Sequence, residues 1–336
     1  MPRHCGFCKQ SGHDRRNCPA YKSSQLLCNS TLTNDRGSYD GIIDMIYILT
    51  MEKSKKRHQS IYSQLNKFKL TKNAKIMFNK GYKTCKKISC NKYECQQVKT
   101  PPHDITHAMN EIYKDAIDNN YKTILILEDD FIVSERININ QVIMDIKKII
   151  NDYKHSELIL KLGCLPFVTM PYNNEYRRVI LSAGAHAVLY NDIAFRKIYN
   201  KKLFALDDYD ALLNRHFLGR ELMYKEPLMY QLVQESENMK YWDDWNGGLL
   251  NSGEWFFSLM KYLRIDKSVE PGTSLVYKYH GIANFLFFIL MIIIIYYLGR
   301  ILIGFVLPLK IMELKGKKRR RKMKGGAKNR RVSKNY

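Results

Sequence analysis

The 336-residue chain carries 55 Lys and Arg residues against 32 Asp and Glu residues, which gives a formal net charge of +23. Thirteen of the basic residues and one acid lie between positions 310 and 334, so this segment alone holds +12. Because about half of the excess charge belongs to one segment, the composition does not indicate that the whole protein is a nucleic-acid binder. The length allows one large domain with smaller appendages.

Residues 1–22 hold four metal-ligand side chains at close spacing: Cys5, Cys8, His13 and Cys18. Three thiolates and one imidazole complete a tetrahedral Zn²⁺ shell and leave no open position for catalysis. A segment this short cannot bury a core, so zinc would supply its folding free energy. The spacing, with a glycine before the histidine, resembles the retroviral-type zinc knuckle. The resemblance implies a partner that is either single-stranded nucleic acid or a protein.

Residues 23–40 are polar and without periodicity, and we interpret them as a linker. The globular body, residues 41–262, opens with an apolar run that predicts a buried strand over 42–49. Ser54 is placed to cap a helix that runs to about residue 68. A second strand at 75–78 and a helix over 106–119 follow, so we expect an α/β domain.

A second apolar run, residues 124–127, predicts a strand that is buried on both faces and ends in Glu128, Asp129 and Asp130. Ligands of open α/β sheets gather at the carboxyl ends of strands. Three adjacent carboxylates repel one another unless a cation neutralises them, and Mg²⁺ binds through one or two carboxylates plus phosphate oxygens. The alternative is an acidic surface turn after a strand.

Over roughly residues 42–245 the chain resembles glycosyltransferase family 25, which includes lipooligosaccharide and collagen galactosyltransferases. The Thr-His-Ala of residues 106–108 and the Leu-Glu-Asp-Asp of residues 127–130 resemble two of its motifs. Residues 43–49 resemble the family's opening strand, and residues 160–163, 182–190 and 224–231 resemble three later motifs in the family's order. The sequence departs from the family at Leu49-Thr-Met, where the family has Asn-Leu-Asp.

The resemblance implies a GT-A-type (Rossmann-like) nucleotide-sugar transferase that uses Mn²⁺ or Mg²⁺ and a UDP-hexose, galactose or glucose, with a protein or glycan as acceptor. Residues 128–130 take the place of the family's acidic metal motif, with Asp130 and then Glu128 as the expected ligands. A metal that bridges both phosphates would stabilise the charge that develops on the UDP leaving group.

The family inverts the configuration at the sugar carbon, which implies a carboxylate base for the acceptor hydroxyl. Asp207 and Asp208 are the candidates, and a capped turn before a helix over 209–217 is the alternative. His186 is either a contact to the metal or diphosphate or a satisfied core residue. Gln231 either reads the base or sugar or simply bonds backbone groups.

Residues 282–309 are apolar over enough length to predict one transmembrane helix, preceded by a connector at 263–281 and followed by a basic tail at 310–336. Positive charge favours a cytoplasmic location for the tail, whereas a cysteine-rich zinc module fits the reducing cytosol, so the orientation stays open. The knuckle–transferase combination and a composition typical of an AT-rich genome led us to expect a viral protein on an internal membrane.

Two hypotheses from different classes follow. The first is an active, membrane-anchored sugar transferase. The second is a nucleic-acid-binding or adaptor protein, in which the knuckle and the basic tail act on an inert transferase scaffold. The two hypotheses differ in whether Asp130 is needed for function.

Overall fold

The structure is a computed structural model that describes residues 29–33, 37–79, 81, 100–200, 209–231, 258, 260–265, 268, 270 and 272–332. The predicted zinc ligands and the predicted bases Asp207 and Asp208 lie outside these residues. The chain divides into two units, residues 1–280 and 281–336. The first unit contains the α/β body and the second contains most of a long helix.

The body is built on a seven-stranded mixed sheet and a small two-stranded sheet. The described strands are β1 (Asn29–Thr33), β2 (Met45–Met51), β3 (Asn73–Asn79), β4 (Thr123–Glu128), β5 (Phe131–Val133), β6 (Ile159–Pro171), β7 (Tyr176–Asn191), β8 (Glu221–Tyr224) and β9 (Met229–Gln231). The large sheet has the order β1-β3-β2-β4-β7-β6-β8, and β5 pairs with β9.

Strands β3, β2 and β4 are parallel, whereas β7 is antiparallel to β4 and to β6. Parallel neighbours end at the same edge of a sheet, so the carboxyl ends of β2 and β4 meet there. The antiparallel pairing of Leu127 with Ala187 brings the residues of β7 just before Ala187, which include His186, to the same edge. The fold class was therefore expected correctly as α/β, with its acids at the carboxyl end of a central strand.

Within the described residues, five α-helices cover the two faces of this sheet: α1 (Lys55–Phe68), α2 (Pro101–Asp118), α3 (Asn140–Asp152), α4 (Asp192–Asn200) and α5 (Tyr209–His216). Successive strand residues face opposite sides. Ile48 and Leu125 pack in the cluster that contains residues of α1 and α3. Tyr47 and Ile126 pack in the cluster that contains residues of α2, α4 and α5. Burial on both faces explains the continuous apolar runs of β2 and β4.

The observed boundaries differ most from the expected ones in two places. Helix α2 begins at Pro101 rather than near residue 106, because proline is well tolerated in the first turn of a helix and the Thr100 side chain caps that turn. The segment interpreted as a linker contains β1, whose backbone pairs antiparallel with β3. Pairing with the edge of an existing sheet supplies order that the local pattern did not predict.

A further helix, α6 (Gly272–Val332), has 61 residues and includes the predicted span. Its residues 272–301 are long and apolar enough to cross a membrane, by length and composition. Large apolar side chains in it, such as Phe285, Ile292 and Ile295, are exposed. A core helix of a soluble domain would bury such side chains. This feature agrees with the predicted membrane helix near the C-terminal end of the chain.

Candidate active site

The acidic residues lie where β4 leaves the sheet and turns into β5. Glu128 is the last residue of β4, and Asp129 and Asp130 form the turn before Phe131. Strand β5 then pairs with β9, in which Gln231 lies opposite Phe131. This pairing joins residues that are about a hundred positions apart in the chain, so it brings Gln231 beside the acidic turn.

The carboxylates of Glu128 and Asp130 converge on a single atom, the Nε2 of Gln231. Nε2 donates to Glu128 Oε2 at 3.4 Å and lies 3.3 and 3.4 Å from the two oxygens of Asp130. The side chain of Asp130 is 13 % exposed. Two carboxylates that face one point form an arrangement that favours a positively charged or proton-donating occupant.

Asp129 is held by residues of the neighbouring strand and helix. Its Oδ2 accepts a hydrogen bond from Thr50 Oγ1 at 2.7 Å, and its Oδ1 forms an ion pair with the guanidinium of Arg57. Arg57 Nη1 also lies 3.6 Å from Asp130 Oδ2. Asp129 was grouped with Glu128 and Asp130 as a cofactor-binding residue, yet both of its oxygens already have protein partners.

Thr50 and Arg57 are site residues that the sequence analysis did not name. Thr50 stands in the segment where the chain departs from the family's Asn-Leu-Asp, and Arg57 belongs to the Lys/Arg run after β2. A basic run directly after the first strand of an α/β domain was the available signal. The basic run lies beside the acids because of the register of β2 against β4, which places Leu49 opposite Glu128. The sequence alone does not show this register.

Burial raises the pKa of Asp130 to about 6. The neighbouring Asp129 carboxylate adds to this increase, whereas the Arg57 guanidinium and the hydrogen bond from Gln231 oppose it. Asp130 therefore takes up a proton at a higher pH than an exposed aspartate does. A bound cation would favour the ionised form, so cation binding and loss of this proton are coupled.

His186 lies on β7 next to Gln231. A Cβ added to Gly184, which has φ +77°, would lie 3.1 Å from His186 Nδ1 and 3.3 Å from Gln231 Oε1. On the other side of the ring, a Cβ on Gly163 would lie 2.4 Å from His186 Nε2. The two glycines therefore make the space that the imidazole and the Gln231 amide share.

The His186 ring is 2 % exposed, and neither of its nitrogens forms a well-shaped hydrogen bond within the described residues. Burial lowers the His186 pKa to about 4, an effect that the Met229 carbonyl only partly offsets. The imidazole is therefore neutral at physiological pH. His186 is buried as the core alternative required, but its orphaned nitrogens border the cleft that Gln231, Cys164 and Tyr277 also line.

A buried polar network supports this part of β7. Asp210, on α5, accepts a hydrogen bond from the backbone N of Gly184 at 2.6 Å. Lys161 forms an ion pair with Glu221 at 2.8 Å and donates to Ser182 Oγ at 2.7 Å, and the Lys161 and Glu221 side chains are almost completely buried. Asp210 comes two residues after Asp208, the second predicted base, and its hydrogen bond holds Gly184 in place.

No group of three or more His, Cys, Asp and Glu side chains gathers as a metal site among the residues that the structure describes. Glu128 and Asp130 face a common point that the amide nitrogen of Gln231 occupies in this structure, so a cation held there would take the place of that nitrogen. Mg²⁺ and Mn²⁺ accept such a set, because one or two carboxylates together with phosphate oxygens and water complete their shell. The donor set therefore fits a divalent cation that arrives with a phosphate-bearing ligand.

No protein-family model and no curated protein matches the chain. Among solved structures, the chain is similar to a glycosyltransferase involved in the glycosylation of the major capsid of PBCV-1. The match has 10 % sequence identity and a TM-score of 0.34, and it covers 58 % of this chain and 94 % of the other. A similarity of this size does not carry a functional conclusion, which has to come from the site.

Proposed function

We propose that the protein is a membrane-anchored, metal-dependent glycosyltransferase. It moves a hexose, galactose or glucose, from a UDP-sugar to a hydroxyl group of a protein or glycan. The observation that carries the proposal is the convergence of Glu128 and Asp130 on one point at the carboxyl end of a central strand. This is the edge at which α/β sheets bind ligands.

Glu128 and Asp130 would hold Mn²⁺ or Mg²⁺, which when bound neutralises the diphosphate and stabilises the UDP leaving group. Gln231 donates to both carboxylates and so orients them before a cation takes the place of its amide nitrogen. Arg57 and Thr50 hold Asp129 and thereby the backbone of the turn that carries Asp130. The guanidinium also places a positive charge beside the position that a diphosphate would occupy.

The acceptor hydroxyl needs a carboxylate base within hydrogen-bond reach of its proton. Asp207 and Asp208 keep this proposed role; both precede α5, whose Asp210 contacts Gly184 beside Gln231. His186, which stays neutral, contributes shape and a hydrogen-bonding group to the wall of the cleft rather than charge.

The alternative function, an adaptor on an inert scaffold, also has an observation in its favour. Both oxygens of Asp129 are occupied by Thr50 and Arg57, so one acid of the motif is a structural residue in this chain. In this alternative, the predicted Zn²⁺ knuckle at Cys5, Cys8, His13 and Cys18 would bind single-stranded nucleic acid or a protein. Asp130 would then be dispensable.

The test is turnover of UDP-galactose and UDP-glucose by the full-length protein in detergent, measured as UDP release with and without Mn²⁺. Asp130→Ala should reduce metal-dependent release by about a hundredfold or more. Asp152→Ala removes an exposed carboxylate that pairs with Lys148 and serves as the matched control. Equal activity of the two variants would favour the adaptor function.

A further inference from the structure

Helix α6 joins an apolar segment to a strongly basic one without a break in the helical backbone. It runs from Gly272 to Val332, and its residues 272–301 are apolar enough to cross a membrane. Residues 315–331 then contain eleven Lys and Arg residues and no acid. At 1.5 Å per residue, this basic stretch is about 25 Å long.

Because α6 is continuous, the position of its apolar segment in a bilayer also sets the position of the basic residues that follow it. If the apolar segment enters a bilayer, the residues that follow it emerge at the level of the lipid headgroups. Eight of the ten residues 315–324 are basic. Four to eight basic residues directly beyond a membrane helix are enough to attract anionic phospholipids, with a gain of about fivefold in affinity for each charge near the surface.

We propose that residues 315–331 bind the headgroups of anionic phospholipids in the leaflet from which α6 emerges. This inference rests on the membrane anchoring in the proposed function and is independent of the transferase activity. Pro308, at the junction of the apolar and basic segments, lacks the backbone N–H of a normal helical residue. The helix is therefore weaker at this point, which allows the basic segment to incline toward the surface.

A nucleic acid is the other polyanion that such a segment could bind. The membrane is favoured because the basic segment is tethered to the apolar helix and, once inclined toward the surface, lies within about one Debye length, ~10 Å, of the lipid charge. A nucleic acid would have to compete with this local negative charge. The two partners make different predictions about lipid composition.

The experiment uses the full-length protein in lipid nanodiscs and measures amide hydrogen exchange over 315–331. One set of discs contains phosphatidylcholine alone, and the other also contains phosphatidylserine. Exchange should be slower by about fivefold or more in the phosphatidylserine discs, and the difference should shrink at high salt, since charge attraction is screened. Replacing Arg319, Arg320 and Arg321 by Gln should remove most of the difference.

The matched control replaces three exposed lysines of the α/β body, Lys114, Lys148 and Lys154, by Gln and should leave the difference unchanged. Equal exchange in the two kinds of disc would overturn the proposal while leaving the anchoring intact. Slower exchange on addition of single-stranded RNA to phosphatidylcholine discs, without an effect of phosphatidylserine, would overturn it in favour of a nucleic acid. Failure of the protein to enter discs would instead refute the anchoring on which the proposal rests.

Discussion

Gln231 lies opposite Phe131 in the antiparallel pairing of β5 with β9, and this register sets the Gln231 amide between two carboxylates. A shift of one residue would turn the Gln231 side chain to the other face of the strand pair. The geometry of Glu128 and Asp130 therefore depends on a small sheet of two three-residue strands outside the main sheet.

The ion pair between Arg57 and Asp129 should stabilise the fold as well as the site. Asp129 is 7 % exposed, so Arg57→Ala leaves a nearly buried carboxylate with only Thr50 as a partner. We expect the free energy of unfolding to fall by about 1–3 kcal/mol. Lys67→Ala, which breaks the exposed pair with Glu135, is the control and should cost less than about 1 kcal/mol. Chemical denaturation measures both, and equal losses would contradict the structural role of Arg57.

Gly184 should tolerate no side chain, for two separable reasons. Its φ is +77°, and an added Cβ would press on His186 Nδ1 and Gln231 Oε1. Gly41 has a similar φ, +79°, but nothing lies within 4 Å of its Cβ position. Gly41→Ala should therefore show the backbone strain alone, about 1 kcal/mol, and Gly184→Ala should lose more.

The same pair of variants also separates stability from activity. Gly184→Ala displaces the Gln231 amide and should lower the metal-dependent release of UDP. Gly41→Ala should leave that release unchanged. If Gly184→Ala loses no more stability than Gly41→Ala and keeps full activity, Gly184 has no positioning role.

Asp130 should cost stability when no cation is present. Its pKa is raised to about 6 in the folded protein, mainly by burial, so the folded state binds the proton more tightly than the unfolded state. The free energy of unfolding is then reduced at neutral pH and recovers as the pH falls from about 6 to about 4. Asp130→Asn should raise the stability at pH 7 by about 1–3 kcal/mol in the presence of a chelator. A loss of stability in this variant would contradict the assignment.

His186 should give the opposite dependence on pH. Burial lowers its pKa to about 4, so between the ordinary value near 6.5 and 4 the unfolded state binds the proton and the folded state does not. The His186 contribution to stability therefore falls as the pH decreases through this range, by up to about 3 kcal/mol. Relative to His186→Gln, the wild type should become steadily less stable from pH 7 to pH 4. The exposed His155 provides the matched substitution, and a wild type that loses stability just as steeply relative to His155→Gln would refute the prediction.

The parts of the site that the sequence predicted are those encoded locally. The apolar run of β4 followed by three acids specifies a buried strand and a charged turn within a few residues of each other. Arg57 and Thr50 reach Asp129 across 72 and 79 positions, and no local pattern encodes such a contact. Gln231 was predicted through the order of the motifs. Its contact with the acids follows from the β5–β9 pairing, and strands of three residues are too short to give a recognisable pattern in a sequence.

The boundary errors have a similar origin. Strand β1 lies in a polar segment without alternation and is ordered by pairing with β3. Helix α2 begins at Pro101, five residues before the predicted start, because proline in the first helical turn is compatible with a helix. The zinc-knuckle prediction and the bases Asp207 and Asp208 fall outside the described residues and stay predictions.

The central claim is that Glu128 and Asp130 hold a cation that binds the diphosphate of a UDP-sugar. The most direct measurement is the thermal unfolding midpoint of the full-length protein in detergent, with UDP-galactose or UDP-glucose, Mn²⁺, or both. The account predicts that a ligand at a hundredfold its Kd together with Mn²⁺ stabilises the wild type by about 2.7 kcal/mol and leaves Asp130→Asn unchanged. A midpoint that does not respond to any combination of UDP-sugar and Mn²⁺, or an equal rise in Asp130→Asn, would contradict it.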